Sequence, residues 1–354
     1  MKDIYFFIGT KAQAIKCLPV LKEIEKQNKH NLILIDSGQH VEIVDYILKN
    51  LSKNIEKINV YKNKKNITTV KQTFFWFFTF VWKYIVKSPK QINSHKSNYC
   101  IIHGDTLSTF LGLLWAKKNK IEVVHMESGL SSKNIFKPFP EEIVRRVVSK
   151  YSEILICFDN NSHNNLRKKY KSSDKIIKRI SENTILDSVK FISDLDDENK
   201  ITVTLHRTEN LLSKKTMKKF INLLEILSRK FVVNWYMHGP TINYLKKHKL
   251  SIPTVINTSE LLTHENFLNE IASSAIVITD GGSIQEECYF LGKKTLIWRR
   301  ETEREYALRE NMFISNFNLE LSLNFIFNEN NKVENNELFS ANPSTEIANF
   351  LNNL

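Results

Sequence analysis

Residues 4 to 26 read IYFFIGTKAQAIKCLPVLKEIEK, and their order decides the fold. Ile4 to Ile8 is a short apolar run, Gly9-Thr10 a turn, and from Ala14 to Lys26 the apolar positions recur at helical spacing. The unit is strand, polar loop, helix. It returns at Leu32 to Ile35, which ends in DSGQH and leads into helical period from Val41 to Leu51. Repetition of this unit predicts an α/β protein with a parallel sheet wrapped by helices.

Working outward, Tyr99 to Ile102 and Glu122 to His125 are further strands, each followed at once by a polar motif. Ile154 to Phe158 reads as the last strand of this half, and the basic, polar stretch from Lys169 to Lys178 points to a domain boundary near residue 185. A second series then begins. Strands are expected at Ile201 to Thr204, Val232 to Met237, Thr254 to Ile256, Ile276 to Thr279 and Thr295 to Trp298, with helices at Thr216 to Arg229 and from Glu265. The expected domains are 1–185 and 186–343, two similar halves facing each other across a cleft. A final helix, Ser344 to Asn352, is expected to pack back on the first, and Asn328 to Asn336 is a polar loop.

A chain of 354 residues with 42% hydrophobic content can bury two cores. Cys17, Cys100, Cys157 and Cys288 lie far apart in apolar surroundings without CxxC spacing, and read as reduced, buried thiols of a cytosolic protein. The opening MKDIYFFIGT reads as a first strand and not as a cleaved signal. The formal charge is +13. With no zinc spacing, RNA-binding signature or basic helix, nucleic acid is excluded as a partner. Anionic headgroups, phosphorylated substrates or a Lys/Asn-rich composition account for the charge.

Thr68 to Val86, TTVKQTFFWFFTFVWKYIV, has the length of a membrane span, but Lys71, Gln72 and Lys83 interrupt it. Its aromatic run, Phe74 to Trp82, suits a helix in the headgroup zone in peripheral membrane contact, or one buried against the sheet and a partner in a homodimer.

Chemistry gathers from His103 to Arg146. Asp105, Glu127 and the pair Glu141/Glu142 stand just past buried strands or in a loop, where a carboxylate is solvated, paired or catalytic. DGGSIQEE, 280 to 287, follows a strand and opens a helix. Gly281 and Gly282 admit close approach, Ser283 adds a hydroxyl, and the helix-start amides suit a diphosphate. Glu287 could accept from ribose hydroxyls, or be a solvated helix-face carboxylate. Lys11 and Lys16 offer point charges to phosphate. His206 with Arg207, His238 and Arg304 add titratable rings and cations at successive strand ends. No Walker A or GxGxxG pattern occurs, which argues against an NTPase or a dehydrogenase. No metal-ligand spacing occurs either, so a metal-free, cofactor-free site is expected.

Taken in order, HGDT (103–106), HMESGL (125–130), PFPEE (138–142), ENT…D (182–187), HRTEN (206–210) and DGGSIQEE resemble the UDP-N-acetylglucosamine 2-epimerase family. The resemblance implies the GT-B fold, two Rossmann-like α/β/α domains with a UDP-sugar in their cleft. It also implies removal of the C2 proton as UDP leaves C1, giving an acetamidoglucal. Return of the proton on the other face and re-addition of UDP complete epimerisation; in the hydrolysing branch water replaces UDP. The matching positions are Asp105, Glu127 and Glu141 for proton transfer and His206 near sugar and diphosphate. Lys11, Lys16, Gly282 and Ser283 match the diphosphate contacts, and Glu287 the ribose contact. The chain departs from the family's usual GTRPEAIK at Lys11, Ala12 and Gln13, and from DSGGIQEE by moving the serine to 283. Glu182 stands where a Gly is usual and Val41 where an Arg is common.

The expected function is UDP-GlcNAc 2-epimerisation for surface polysaccharide. The alternatives are a GT-B glycosyltransferase with a lipid-linked acceptor, suited to the altered phosphate motifs and aromatic helix, and a non-catalytic sugar-nucleotide-binding protein.

Overall fold

The computed structural model describes residues 1–40, 47, 49–51, 55–59, 67, 69–87, 98–131, 140–192, 197–211, 213–328 and 338–354. The helix expected from Val41 falls mostly outside them, as do Pro138, Phe139 and nearly all of the polar loop after Asn328. Two compact units result, Met1–Ser188 joined by Ala341–Leu354, and Val189–Ser340.

In the first unit, strands β1 (Lys2–Ile8), β2 (His30–Asp36), β3 (Glu56–Asn59), β4 (Tyr99–His103), β5 (Glu122–Met126), β6 (Ile154–Cys157) and β7 (Ile176–Arg179) form a parallel sheet in the order β3-β2-β1-β4-β5-β6-β7. Strand order reverses between β1 and β4. Both are buried at the centre of the sheet, which is why they are apolar without alternation. Helices α1 (Lys11–Gln27), α2 (Val70–Phe80), α3 (Leu107–Lys118), α4 (Glu141–Tyr151), α5 (Asn160–Lys169) and the short α6 (Leu186–Val189) connect them. Thr10, Thr69 and Thr106 start α1, α2 and α3 with reciprocal capping boxes, which satisfy backbone donors the helix leaves over. Trp115 of α3 packs on Tyr5 and Phe7 of β1, with ring centroids 5.6 and 6.3 Å apart.

The second unit repeats the scheme. Strands β8 (Asp197–Leu205), β9 (Val232–Met237), β10 (Asn257–Ser259), β11 (Ser274–Thr279), β12 (Lys294–Ile297) and β13 (Met312–Ile314) lie parallel in the order β10-β9-β8-β11-β12-β13. The reversal falls between β8 and β11. Helices α7 (Lys214–Leu227), α8 (Gly239–His248), α9 (His264–Ala272), α10 (Gly282–Phe290) and α11 (Leu319–Phe327) cover the sheet, and Phe220 meets Trp235 and Trp298 in the core at 5.4 and 5.3 Å. The last helix, α12 (Pro343–Asn352), belongs to the first unit. It buries Ile347, Ala348 and Leu351, contacts α1, and accepts at Asn349 from Gln27 at 3.0 Å.

Four strand expectations need correction. Ile154 does not open the last strand of its half, because β7 follows it at the sheet edge. Thr254 to Ile256 is not a strand; the chain turns there, and β10 begins at Asn257. β3 and β13 were not expected at all. These four are end or short strands, and β10 is fully exposed, so pairing with a neighbour and not an apolar run makes them strands. All four cysteines are free and buried. Among the described residues no helix is long and apolar enough to cross a membrane.

Candidate active site

In open parallel sheets ligands gather where strand order reverses, so each reversal is the place to look. In the first unit it lies between the ends of β1 and β4. Gln13 stitches the two loops together. Its Oε1 accepts from the Gly9 and Thr10 amides at 3.0 and 3.1 Å, while its Nε2 donates to the His103 carbonyl at 2.8 Å and to the Thr106 and Thr109 hydroxyls at 3.1 and 2.9 Å. An amide can do both; a carboxylate, which only accepts, could not donate to His103. Gly9 is needed because a Cβ there would lie 2.0 Å from Ser108 Oγ.

Glu127 follows β5 with φ of +59°, a left-handed backbone that a residue with a side chain seldom adopts. A backbone strained in this way persists only where the surrounding structure holds it. Its Oε2 faces two donors, Lys16 Nζ at 2.5 Å and His103 Nε2 at 3.2 Å, and all three side chains are buried. Lys16 thus sits against Glu127, on the inward face of α1. Asn183 and Thr184 line a small recess with His103, Glu127 and Phe158, and Thr184 Oγ1 donates to the Lys16 carbonyl at 2.8 Å.

Asp105 pairs with Arg145 Nη2, whose Nη1 lies 2.6 Å from Glu142 Oε2. Glu142 is buried and also takes Arg146 Nε at 2.8 Å, so it orients the arginine that holds Asp105. Glu141 begins α4 and is half-buried. His125 is buried with Nε2 at 2.8 Å from the Gly104 carbonyl, which fixes a proton on Nε2. Nδ1 is then the acceptor for the Ser149 hydroxyl at 3.3 Å.

In the second unit Asp280, at the end of β11, is the tie across the reversal. It accepts from the amides of His206 and Arg207, at 3.0 and 2.8 Å, and from Asn210 Nδ2 at 2.7 Å, with His206 Nδ1 at 3.2 Å. Burial pushes its carboxyl up, but the His206 ring, the Arg207 amide and Asn210 outweigh that and hold it below the ordinary value. His206 stacks on His238, the residue before α8, with centroids 4.4 Å apart. Gly281 precedes α10 without a side-chain cap, and Gly282 and Ser283 lie in its first turn. A Cβ on Gly282 would come 2.3 Å from Arg304 Nη1, so glycine lets the guanidinium lie over the helix start.

That guanidinium is part of a buried network. Glu303 meets Arg304, Arg207 Nη2 at 3.0 Å and Arg299 Nη1 at 2.9 Å. Burial raises its carboxyl, and the guanidiniums of Arg304, Arg207 and Arg299 more than reverse this, holding it well below the usual range. Arg304 Nε also lies 3.1 Å from Glu286. Glu287 is buried, not a solvated helix-face carboxylate, and its Oε1 lies 2.9 Å from His264 Nε2.

The expected site residues therefore form two sets. Lys16, Asp105, Glu127 and Glu141 lie in the first unit, with Lys11 exposed at the start of α1. His206, Arg207, His238, Gly281, Gly282, Ser283, Glu287 and Arg304 lie in the second. Sequence reasoning passed over His103, Arg145, Asp280 and Glu303. His103 and Asp280 stand inside quoted motifs and Arg145 inside the stretch from His103 to Arg146, but the role of each of the four depends on a partner from another strand end. Among the described residues no cluster of three or more His, Cys, Asp or Glu could hold a metal ion.

Two Rossmann-like parallel units, each with charged side chains collected at its reversal point, define an α/β protein of the GT-B class. The sequence pattern of the UDP-N-acetylglucosamine 2-epimerase family matches residues 22–320, and the chain belongs to that family of isomerases. The Campylobacter jejuni UDP-N-acetylglucosamine 2-epimerase is 28% identical over 338 residues, covering 87% of this chain and 84% of the relative. That of Neisseria meningitidis serogroup A is 28% identical over 334 residues, covering 87% and 85%. The crystal structure of the UDP-GlcNAc 2-epimerase from Neisseria meningitidis bound to UDP-GlcNAc aligns over 100% of both chains, with TM-score 0.78 and 25% identity.

Proposed function

We propose that the chain inverts C2 of UDP-GlcNAc by eliminating and re-adding UDP. A base takes the C2 proton, the electron pair forms the C1–C2 double bond, and the bond from C1 to the diphosphate oxygen breaks. Free UDP and 2-acetamidoglucal result. In return, a diphosphate oxygen bonds to C1 while an acid delivers a proton to the opposite face of C2, giving UDP-ManNAc. Water in place of UDP would give ManNAc.

The observation that carries this reading is the buried Lys16–Glu127–His103 cluster on a strained backbone. A carboxylate fixed between two nitrogen donors suits proton transfer at carbon. In this reading Glu127, Asp105 and Glu141 move the proton, Lys16 and His103 position Glu127, and Arg145 positions Asp105. The second unit takes the nucleotide. The α10 start at Gly281, Gly282 and Ser283 with Arg304, Arg207, His206 and His238 meets the diphosphate, and Glu287, held by His264, the ribose. Lys11 adds a cation to the leaving group. The relatives above are all epimerases, which favours this reading over sugar transfer. It makes the protein a cytoplasmic enzyme, acting as a homodimer and supplying N-acetylmannosamine units for surface polysaccharide.

The test is to incubate purified protein with UDP-GlcNAc and follow the sugar by NMR. Formation of the C2-inverted sugar, nucleotide-linked or free, is expected. Binding of UDP-GlcNAc without any inverted product would overturn the proposal.

A further inference from the structure

Arg304 reaches the start of α10 from the loop after β12, and the side chain that holds that loop comes from α10 itself. Gln285 stands one turn into the helix, where its amide makes a first helical bond to the Gly281 carbonyl at 3.0 Å, and it is buried. Its Nε2 donates to the Arg304 carbonyl at 3.1 Å and to the Ala307 carbonyl at 3.3 Å, while its Oε1 accepts from the Thr302 hydroxyl at 2.7 Å. The Thr302 oxygen in turn accepts from the Arg304 amide at 3.2 Å. Both peptide groups of Arg304 are thus tied to one buried side chain, one directly and one through Thr302. An amide can serve both ends because it donates and accepts at once.

The guanidinium of Arg304 is also paired with acids. Nη1 meets Glu303, and Nε lies 3.1 Å from the buried Glu286. Those pairs act on the charged end of the side chain. The Gln285 tie acts on the backbone and carries no charge, so it fixes the root of the side chain without neutralising its tip. That tip lies where a Cβ on Gly282 would come 2.3 Å from Nη1, which sets the guanidinium beside the first-turn amides of α10. Two donor sets bind one anion only when both lie within hydrogen-bond range of it, a window about 0.5 Å wide. Keeping them in register is the task Gln285 performs.

We propose that Gln285 is a positioning residue for the diphosphate. It locks Arg304 to the start of α10, so that the guanidinium and the helix-start amides form one seat before the ligand arrives. The inference rests on the proposed placement of the diphosphate at Gly281, Gly282 and Ser283. Gln285 itself touches no ligand.

The test compares uridine and UDP by titration calorimetry on the full chain. Wild type should bind UDP at least about tenfold more tightly than uridine, because hydrogen bonds to a charged group are the strong ones. Gln285→Leu should lower UDP affinity by about tenfold or more and leave uridine affinity within about twofold. Thr302→Val removes only the relayed tie and should act in the same direction by about threefold; it carries the test if Gln285→Leu does not fold. The effect passes through Arg304, so in an Arg304→Gln background either change should alter UDP affinity by less than about twofold. Equal losses for uridine and UDP, or an undiminished loss in the Arg304→Gln background, would overturn the proposal, since the tie would then serve the fold alone. Unchanged UDP affinity in both variants, beside a wild type that prefers UDP, would overturn it as well. A wild type that binds UDP no more tightly than uridine would overturn the placement of the diphosphate, and the inference with it.

Discussion

His125 lies two residues before Glu127 and is fully buried, and burial pushes its ring down from 6.5 to about 4. The Gly104 carbonyl and Asp105 pull the other way without offsetting it. The neutral ring matters because it ties Gly104, beside Asp105, to the strand that delivers Glu127. Its folded pKa is depressed, so between pH 6.5 and about 4 the unfolded chain binds a proton that the folded chain refuses. Stability is therefore full above 6.5 and falls as pH drops to about 4, by up to roughly 3 kcal/mol from this group. Urea unfolding across this window should show the decline, and His125→Gln should flatten it; an identical profile in the variant would refute the assignment. Asp280 and Glu303 act lower. Their folded pKa values are depressed, so the stability they lend is present above the unfolded carboxylate range and lost as pH falls below it.

At the scale of elements, α1 and the β4–α3 loop are held in register by a single side chain. The Gln13 side chain is buried and lies within hydrogen-bonding distance of five partner atoms, three of them 90 or more residues away in sequence and sharing its two amide hydrogens. Gln13→Ala would leave the Gly9 amide and the His103 carbonyl without this partner, at a cost of about 2–4 kcal/mol. A chemical-denaturation midpoint measures it, and a loss under roughly 0.5 kcal/mol would show that the loops are positioned by packing alone. The central strands were legible because burial on both faces demands apolar runs such as IYFFI. The edge strands were not. In β10 (NTS) every side chain is exposed, and the ladder to Asn234, Trp235 and Tyr236 of β9 makes it a strand. The same limit applied to the site. Carboxylates just past buried strands stood out, whereas Arg145 and Asp280 take their roles from partners 40 and 74 residues away.

At the scale of the whole molecule, the two units, each built on a parallel sheet, gather different residues. The first gathers carboxylates around a lysine, an arginine and a histidine, and the second gathers cations and a helix start. The family's usual arginine and glutamate at 11 and 13 are lysine and glutamine here. At 13 the replacement serves as a structural tie. The Lys16–Glu127–His103 cluster bears the central claim, the proposal that Glu127 exchanges the C2 proton of a UDP-sugar. Wild-type protein and Glu127→Gln should be incubated with UDP-GlcNAc in deuterated water, with UDP affinity measured on the same preparations. The account predicts deuterium at C2 with the wild type, a loss of about 10²–10⁴-fold in the variant, and UDP affinity unchanged within about twofold. Deuterium entering C2 at the wild-type rate in Glu127→Gln would contradict it.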